Sequence, residues 1–479
     1  MAFDYDMLVI GAGAAGLTAA GMSALLGAKT ALIEQHRLGG DCTWNGCIPS
    51  KTLLHAARVA HTMRTAGSAG LTAASPAVDF PSVMTHVRNV RQHVYEDADA
   101  PRHFEKMAVE VIAAQARFLD DHTLELSSAA HTRRVTSRFF VISTGSRPKD
   151  PGFSVPSLNN ESLFELTAQP ARLLVLGGGP IGVEMSQAFV RLGSEVELVH
   201  PGEEILARDD RQLAGILRQR LSGEGIRFHM GRRVTEVAKT STGLSARLDN
   251  GAEIACDALL SAIGREPNVD SLGLEQAGVA VNPRGIVVDN RCRTSRRHIY
   301  ASGDVTGRYQ FTHMAEHMSK VAVTNAILRF PQKLDEKGVT WCTFTSPELA
   351  QVGRTEESLR ASGEKYSAWC FPFSKLDRAI TEGETTGMVK VLSGPSKRVL
   401  GASILGACAG EMIAGFALAM RGGLPFAKIA STILPYPTYA LGNRRAVDKM
   451  SAKQLDSPLL GWLGKILRYR GERRGSAAL

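Results

Sequence analysis

The sequence predicts an α/β fold that contains two Rossmann-like dinucleotide-binding units. The first observation is the glycine-rich turn GAGAAG at residues 11–16, which lies between a short apolar run at 4–10 and an alanine- and leucine-rich helix. The second is the turn GGGPIG at residues 177–182, which repeats the pattern after the apolar run 173–176. The third is size, since 479 residues with 44% hydrophobic content can form about three domains.

Each glycine turn has the parts that bind a dinucleotide. Glycines let the backbone approach a pyrophosphate, and the amides of the following helix N-terminus bind it. Glu34 ends the predicted strand 30–34, where a carboxylate binds ribose hydroxyls, and a strand at 195–199 follows the second turn. The predicted pyrophosphate glycines are Gly11, Gly13 and Gly16 in the first unit and Gly177, Gly179 and Gly182 in the second. Two such sites indicate an enzyme in which two hydride carriers meet, a flavin and a nicotinamide.

Two cysteines follow the first nucleotide-binding unit. Cys42 and Cys47 lie between a glycine pair and a Pro-Ser-Lys51 segment, near the start of a predicted helix. The helix dipole and Lys51 favour a thiolate there, and the spacing suits a strained, reducible disulfide. The same spacing also occurs in inert core cysteines and in metal sites. The neighbouring nucleotide turn favours the redox interpretation.

Further segments occur in a fixed order along the chain. They are Thr144-Gly145-Ser-Arg-Pro, Gly264-Arg-Glu-Pro-Asn, Tyr300-Ala-Ser-Gly303-Asp304-Val, Phe311-Thr-His-Met-Ala-Glu-His, Phe344-Thr-Ser-Pro-Glu and Ala409-Gly-Glu. With the cysteine pair and the glycine turns, they make residues 4–450 resemble the pyridine nucleotide-disulfide oxidoreductases. That family includes dihydrolipoamide dehydrogenase, glutathione reductase and mercuric reductase.

The resemblance implies an α/β fold with two Rossmann-like domains, one for FAD and one for NAD(P)H, and a C-terminal α+β dimerisation domain. The implied organisation is an FAD-binding domain at 1–150 and 269–335, interrupted by an NAD(P)-binding domain at 151–268, then an interface domain at 336–450 and a basic tail at 451–479. It also implies a homodimer in which each chain contributes C-terminal residues to the disulfide of the other.

The resemblance also assigns roles to single residues. Cys47 is expected beside the flavin as the charge-transfer thiolate and Cys42 as the exchanging thiol, with an ion pair between Lys51 and Glu184 near the flavin. Asp304 is expected to bind the ribityl chain, the alternative being a helix cap. The full set of expected cofactor-binding residues is Gly11, Gly13, Gly16, Glu34, Gly40, Lys51, Thr144, Gly145, Gly177, Gly179, Gly182, His200, Gly264, Gly303 and Asp304.

The C-terminal motif departs from the commonest members of the family. Disulfide reductases of the family carry a His-Pro-Thr motif with a glutamate five residues after the histidine, whereas this chain has Tyr436 and Leu441. A phenol of pKa about 10 is a poor proton shuttle at neutral pH. Lipoamide and glutathione disulfide are therefore not expected as main substrates. We expect the partner subunit's Tyr436 to contact the acceptor, the alternative being a tyrosine that only packs between subunits.

Mercuric reductases resemble this chain at the tyrosine position. A soft metal ion held by Cys42 and Cys47 takes electrons without a general acid, so the sequence favours an acceptor such as Hg(II), with no structural metal. We expect the N-terminal metal-carrier domain of mercuric reductases to be absent, and no cysteine follows Cys408 to form their C-terminal pair. A lipoamide dehydrogenase-like reductase, or an electron-transfer subunit that serves a quinone or a protein, remains an alternative.

The nicotinamide domain lacks the acid that NAD-preferring relatives carry. His200 ends the second strand of that domain and is followed by Pro201 and Gly202. Without a carboxylate to bind the 2′-hydroxyl, NADPH is favoured and NADH is possible, although no arginine follows there to bind a phosphate. His200 could equally be a plain surface residue.

Composition limits the cellular context. The formal net charge is +9, and residues 459–474 combine leucines at helical spacing with basic residues. This tail either packs on its own dimer or touches an anionic membrane surface. No basic patch with interleaved aromatic residues indicates nucleic acid. The acidic, glycine-containing N-terminus predicts no signal peptide, and free thiols favour the cytoplasm. Five other cysteines are expected in the core, at positions 256, 292, 342, 370 and 408.

Overall fold

The two predicted nucleotide-binding units fold around two β-sheets whose central strands run parallel, which confirms the predicted fold class. The computed structural model describes residues 3–129, 131–455, 462–463 and 466–467. In each unit an apolar strand enters the sheet, a glycine turn follows, and a helix packs back on the sheet. The strand before each glycine turn is almost wholly buried, because both faces of a parallel sheet are covered.

The first segment of the chain supplies most of the first sheet. Its strands are β1 (Tyr5–Ile10), β2 (Thr30–Glu34), β3 (Val109–Ala113), β4 (Gln115–Phe118), β5 (Thr123–Ser127), β6 (Thr132–Ile142) and β7 (Ser146–Pro148). Its α-helices are α1 (Ala14–Leu25), α2 (Gly40–Trp44), α3 (Cys47–Thr65), α4 (Phe80–Val94) and α5 (Pro101–Glu105). The strand order is β3-β2-β1-β6-β5-β4, and the pairs among β3, β2, β1 and β6 are parallel.

The second nucleotide-binding unit forms a smaller parallel sheet of order β10-β9-β8-β14 and an antiparallel sheet of order β11-β12-β13. Its strands are β8 (Arg172–Leu176), β9 (Glu195–His200), β10 (Arg227–Met230), β11 (Val234–Thr240), β12 (Gly243–Leu248), β13 (Glu253–Cys256), β14 (Ala258–Ser261) and β15 (Arg265–Pro267). Its α-helices are α6 (Pro180–Leu192) and α7 (Arg211–Gly223). Strand β15 pairs with β7 and so joins the two units.

The chain then returns to the first sheet. The elements of this segment are β16 (Val281–Asn282), β17 (Gly285–Ile286), β18 (Ile299–Ala301) and α8 (Thr312–Ala326). Strand β18 pairs in parallel with β6, with Ile299 opposite Phe140. Helix α8 packs beside α1 over a core that includes Met7, Val141 and Met318. The first sheet is therefore built from two separate stretches of sequence, as the resemblance implies, while the limits between domains stay predictions.

The C-terminal segment forms a five-stranded antiparallel sheet of order β19-β20-β23-β22-β21. Its strands are β19 (Thr340–Thr343), β20 (Glu348–Gly353), β21 (Ser367–Pro372), β22 (Met388–Ser393) and β23 (Val399–Gly406). Its helices are α9 (Glu356–Ala361), α10 (Asp377–Glu382), α11 (Ala409–Arg421), α12 (Phe426–Ala430) and α13 (Leu441–Leu455). Helix α13 continues across the boundary predicted at residue 450.

The predicted basic tail falls almost wholly outside the described residues. Only 462–463 and 466–467 of the segment 459–474 are described, so its predicted contact with a membrane or a dimer stays a prediction. Among the described residues, no helix combines the length and apolar character needed to cross a bilayer.

Candidate active site

The two cysteines of the predicted redox pair lie at adjoining helix ends. Cys42 is in the short helix α2, and Cys47 is the first residue of the 19-residue helix α3. No disulfide joins them in the structure, and both are partly buried. A hydrogen bond between the two thiols raises the pKa of Cys42 and lowers the pKa of Cys47 to about 6. The negative charge of the reduced pair therefore resides on Cys47.

A threonine from a distant part of the chain also stabilises the Cys47 thiolate. Thr312 Oγ1 lies 3.3 Å from Cys47 Sγ, and Thr312 is the first residue of α8. A thiolate has no proton to give, so the hydroxyl donates this hydrogen bond. The hydrogen bond from Thr312 and the charge of Lys51 both lower the pKa of Cys47, against its burial. Sequence reasoning missed Thr312 because no local pattern links it to the cysteines.

Lys51 and Glu184 form an ion pair between the two nucleotide-binding units. Lys51 Nζ lies 3.0 Å from Glu184 Oε2, and the Glu184 side chain is only 5% exposed. The other carboxylate oxygen of Glu184 accepts the backbone N–H of Phe344 at 2.9 Å. Lys51 Nζ also lies 4.6 Å from the centroid of the Phe344 ring, a cation–π contact. The contact predicted from the resemblance is thus present, and its role in the reaction stays a prediction.

Arg265 fixes the helix that carries Cys42. Its guanidinium forms an ion pair with Asp41, the residue before Cys42. It also donates to the hydroxyl of Ser146 at 2.7 Å and to the side-chain oxygen of Asn160 at 3.0 Å. Because the Arg265 side chain is 13% exposed, these contacts are partly shielded from water. Sequence reasoning did not single out Arg265, since its partners come from three separate segments.

The first glycine turn has the shape of a pyrophosphate cradle. Gly11 has φ +95°, and a Cβ there would lie 2.5 Å from the carbonyl oxygen of Ser143. A Cβ on Gly16 would lie 1.8 Å from the oxygen of Gly11, which keeps α1 close to β1. By contrast, a Cβ on Gly13 would meet only Gly40, at 3.8 Å. Space is thus available beside the N-terminus of α1, as a bound pyrophosphate requires.

A cavity of about 110 Å³ adjoins this turn. Its lining includes Gly11, Glu34, Thr144 and Asn268. Glu34 Oε2 accepts the N–H of Ala12 at 2.8 Å, which fixes the carboxylate at the end of β2. Thr144 donates to the carbonyl of Asn268 at 2.7 Å. The polar groups fit the adenosine end of FAD.

Asp304 lies near the other end of the predicted flavin path. Its carboxylate accepts the hydroxyl of Ser146 at 2.7 Å and lies 3.9 Å from Arg265. Burial raises the pKa of Asp304, although the hydrogen bond from Ser146 and the charge of Arg265 lower it. Gly303, with φ +77°, packs between α1 and α8, whereas no atom lies within 4 Å of a Cβ position on Gly145. The predicted FAD-binding residues therefore fit FAD, and their individual roles stay predictions.

The second glycine turn repeats this geometry. Gly177 has φ +109°, and a Cβ there would lie 2.3 Å from the carbonyl oxygen of Ala262. A Cβ on Gly179 would meet nothing within 4 Å, so a pyrophosphate has space. His200 is half-buried and its Nδ1 accepts the N–H of Gly178 at 3.1 Å, so it is no plain surface residue. The other glycines predicted here are Gly182, in the first turn of α6, and Gly264, which follows β14.

Tyr436 lies on the surface of the single chain. It is 71% exposed, and a hydrogen bond with Asp377 raises the pKa of its phenol. Leu441, which stands where relatives carry the glutamate, is buried in the core of the C-terminal domain. Among the residues that the structure describes, none therefore supplies a replacement for the family dyad at that position.

The remaining cysteines follow the sequence prediction only in part. Cys256 and Cys292 are buried, as expected, and Cys342 and Cys370 are partly buried. The prediction is wrong for Cys408, which is exposed. It is the residue that precedes α11, at the surface end of that helix, and has φ +58°.

One cluster of potential metal ligands lies elsewhere, formed by Asp121, His122 and His298. The two imidazole rings stack with centroids 4.0 Å apart and planes at 11°. A metal ion binds in the plane of an imidazole, and two stacked planes share no such position. Aromatic stacking therefore explains the arrangement of these described residues better than a metal site does.

Comparison with known protein families agrees with this geometry. The pyridine nucleotide-disulphide oxidoreductase family model matches residues 5–319, and the dimerisation domain of the same family matches residues 339–445.

Curated relatives fall into two functional groups. The chain is 34% identical over 458 residues to a mercuric reductase of Bacillus cereus, covering 93% of this chain and 71% of that protein. It is 35% identical over 444 residues to a dihydrolipoyl dehydrogenase of Bacillus subtilis, covering 91% of this chain and 94% of that protein.

Two solved structures are also similar. The Cu(II) complex of the HOCl-induced flavoprotein disulfide reductase RclA from Escherichia coli has a TM-score of 0.84 and 30% identity, covering 94% of this chain and 99% of that one. LpdA from Mycobacterium tuberculosis has a TM-score of 0.87 and 25% identity, covering 93% of this chain and 99% of that one.

Proposed function

The chain belongs to the pyridine nucleotide-disulphide oxidoreductase family, enzymes that use FAD and NAD(P)H, and we propose that it reduces a thiophilic metal ion such as Hg(II) with electrons from NADPH. The observation that carries the proposal is a dithiol pair of this family without the family's acid–base dyad, since Tyr436 and Leu441 stand at its positions. FAD, once bound, supplies the two-electron carrier between the nicotinamide and the disulfide.

The electron balance of the proposed reaction is simple. NADPH gives up a hydride, which is two electrons and one proton, and becomes NADP⁺, and the Cys42–Cys47 disulfide takes them up and opens to the Cys42 thiol and the Cys47 thiolate. The reduced pair returns two electrons to Hg(II), which leaves as Hg(0), and the disulfide closes again. The thiol proton of Cys42 is released to solvent, so the reduction of the metal ion requires no general acid.

The contacts of the cysteine pair suit a metal acceptor. Thiolates are the ligands that soft metal ions prefer, and two sulfurs on adjoining helix ends offer two such ligands. Cys47, with its pKa lowered to about 6, is ionised at neutral pH. Cys42 loses its proton when the metal binds, because metal coordination favours the thiolate. Lys51, held by Glu184, keeps a positive charge near the pair.

The relatives support a metal acceptor independently. The group of curated relatives at 34% identity includes mercuric reductase, and the solved RclA structure is a complex with Cu(II). Cu(II) is therefore a second metal to test beside Hg(II).

A lipoamide dehydrogenase-like activity is the second candidate. It is favoured by the 35% identity to a dihydrolipoyl dehydrogenase over nearly the whole of both chains. Against it, opening an organic disulfide consumes a proton and closing it releases one, and the exposed Tyr436 has a pKa raised by Asp377. Tyr436 is protonated at neutral pH and is a poor base there.

We further propose a homodimer whose acceptor site is completed by the partner subunit's Tyr436. The dimerisation domain of the family matches residues 339–445, which include this tyrosine. Its 71% exposure in the single chain leaves the ring available to a second chain. A cysteine pair that must be reduced in each cycle also fits the reducing cytoplasm.

The experiment is steady-state turnover of the purified holoenzyme with NADPH and a panel of acceptors. The panel consists of Hg(II) with excess thiol, Cu(II), oxidised lipoamide, glutathione disulfide and a soluble quinone. We expect NADPH oxidation with a metal ion to exceed that with either disulfide. Lipoamide turnover on the order of 10–10³ per second would contradict the argument from the missing dyad.

A variant pair tests the same point from the other side. Tyr436→His combined with Leu441→Glu restores the family pattern and should raise lipoamide reduction while lowering metal reduction. Tyr436→Phe is the matched control, because it keeps the ring and removes only the hydroxyl. If the double variant and the control behave alike toward both acceptors, the dyad is not what selects the acceptor.

A further inference from the structure

His200 stands in the second nucleotide unit where Glu34 stands in the first. In both units the side chain at the end of the second strand accepts a hydrogen bond from the backbone N–H of the residue after the first glycine. Glu34 accepts from Ala12 at 2.8 Å, His200 accepts from Gly178 at 3.1 Å, and donor and acceptor are 22 residues apart in each case. The position that binds a ribose hydroxyl in this fold is therefore occupied by an imidazole.

The hydrogen bond from Gly178 sets the tautomer of the His200 ring. Because Nδ1 accepts, the neutral ring carries its proton on Nε2 and offers one donor there. Burial lowers the pKa of His200, and the charge of Arg233 lowers it further, while the carboxylate of Glu204 raises it. His200 thus acts at neutral pH as an uncharged hydrogen-bond donor.

An arginine reaches this site from the next strand. Strand β10 pairs in parallel with β9, with Met230 opposite His200, and the chain turns at Gly231, where φ is +68°. The N–H of Arg232 donates to the carbonyl of His200 at 3.1 Å. Arg232 and Arg233 therefore lie at the carboxyl edge of the sheet beside His200, the edge where ligands of this fold bind.

The two arginines differ in what they contact. Arg232 lies 3.9 Å from the carboxylate of Asp249. Arg233 is exposed, and no carboxylate of the described residues lies within ion-pair distance of it. Its charge is thus available to a ligand, and the hydrogen bond from the N–H of its neighbour Arg232 to the His200 carbonyl places it at the same edge of the sheet.

The acids of the loop after β9 are already neutralised. Glu203 pairs with Arg211, and Glu204 pairs with Arg218 at 2.8 Å. Each carboxylate is thus offset by a guanidinium, so it repels a 2′-phosphate less than an unpaired acid would. The site around His200 offers a donor and a free cation, and it lacks a free carboxylate.

We propose that Arg233 and His200 bind the 2′-phosphate of NADPH, Arg233 through its charge and His200 through its Nε2–H. The inference rests on the proposed function in taking NADPH as the electron donor. It replaces the sequence expectation that no arginine is available, because the arginine comes from the loop that follows β10 and not from the loop after β9.

The test is equilibrium binding to the oxidised holoenzyme of two probes that differ only by the phosphate, ADP-ribose 2′-phosphate and ADP-ribose, measured by calorimetry. The wild type should bind the phosphorylated probe about tenfold or more tightly than the other. Arg233→Ala should remove most of this difference, by weakening the phosphorylated probe more than ADP-ribose. His200→Glu should reverse the preference, since a carboxylate repels the phosphate. Retained FAD absorbance and an unchanged melting temperature show that a variant is folded.

Arg232→Ala is the matched control, with the same loss of charge one residue away. It should change the ratio of the two probes' affinities by no more than about twofold, which is the effect expected from a long-range charge alone. An equal loss in both arginine variants, or a wild type that binds the two probes alike, would overturn the proposal. Turnover of Hg(II) with either nicotinamide in the same preparation would then still support the metal ion as the acceptor, so the two failures are distinguishable.

Discussion

Replacing Thr312 with valine tests how the structure holds the Cys47 thiolate. Valine keeps the shape of threonine and removes the hydroxyl that lies 3.3 Å from Cys47 Sγ. The remaining causes of the low pKa of Cys47, the thiol of Cys42 and the charge of Lys51, are left in place. The change in pKa then reports the contribution of one hydrogen bond.

The expected size follows from the energy of a hydrogen bond to a charged group. Such a bond contributes about 1.5–3 kcal/mol, and one pKa unit corresponds to about 1.4 kcal/mol. Cys47 should therefore titrate about 1–2 units above its wild-type value of about 6. The thiolate is present above this pKa and is lost as the pH falls through it, so the loss occurs at higher pH in the variant.

The assay follows the long-wavelength charge-transfer absorbance of the two-electron-reduced holoenzyme between pH 5 and 9. Thr312→Ser is the matched control, because it retains the hydroxyl and should titrate like the wild type. A midpoint that is the same in the valine variant and in the wild type would refute the reasoning. So would a serine variant that shifts as far as the valine variant.

Three further outcomes are expected. Asp304→Ala should release FAD on gel filtration, because it removes a half-buried acceptor from the flavin path; flavin retention with a stability loss of about 1 kcal/mol would indicate a helix cap instead. Glu184→Ala should lower the free energy of unfolding in urea by about 1–3 kcal/mol, since it leaves the N–H of Phe344 and the charge of Lys51 without a partner; Glu184→Gln should cost less. Burial raises the pKa of Asp209 to about 7, so the free energy of unfolding of the wild type should fall as pH rises from about 4 through 7. Asp209→Asn should be more stable than the wild type at pH 8, by at most a few kcal/mol, but not at pH 4.

The parts of the fold that follow from local sequence are predictable. The fixed spacing of the glycines predicts the two nucleotide-binding turns. The strand predicted at 30–34 has the bounds Thr30–Glu34 in the structure. The strand predicted at 195–199 extends by one residue to His200. The Lys51–Glu184 ion pair is predictable only through the family resemblance, because its partners belong to different domains.

The contacts that sequence reasoning missed join segments that are far apart in the chain. Thr312 reaches Cys47 because α8 returns to the first sheet, and Arg265 reaches Asp41 because β15 pairs with β7. Arg233 reaches His200 because β10 lies beside β9. No spacing rule relates such residues, and only the packed structure brings them together.

The central claim is that Cys42 and Cys47 form the redox centre and that Cys47 carries the charge beside the flavin. The most direct test is the charge-transfer band of the oxidised and two-electron-reduced holoenzyme in three proteins, the wild type, Cys42→Ser and Cys47→Ser. The wild type should show the band only after reduction by dithionite. Cys42→Ser should show it even when oxidised, because Cys47 is then an unbridged thiolate, and Cys47→Ser should show none. A reduced wild type without the band, or a Cys47→Ser variant that keeps it, would contradict the account.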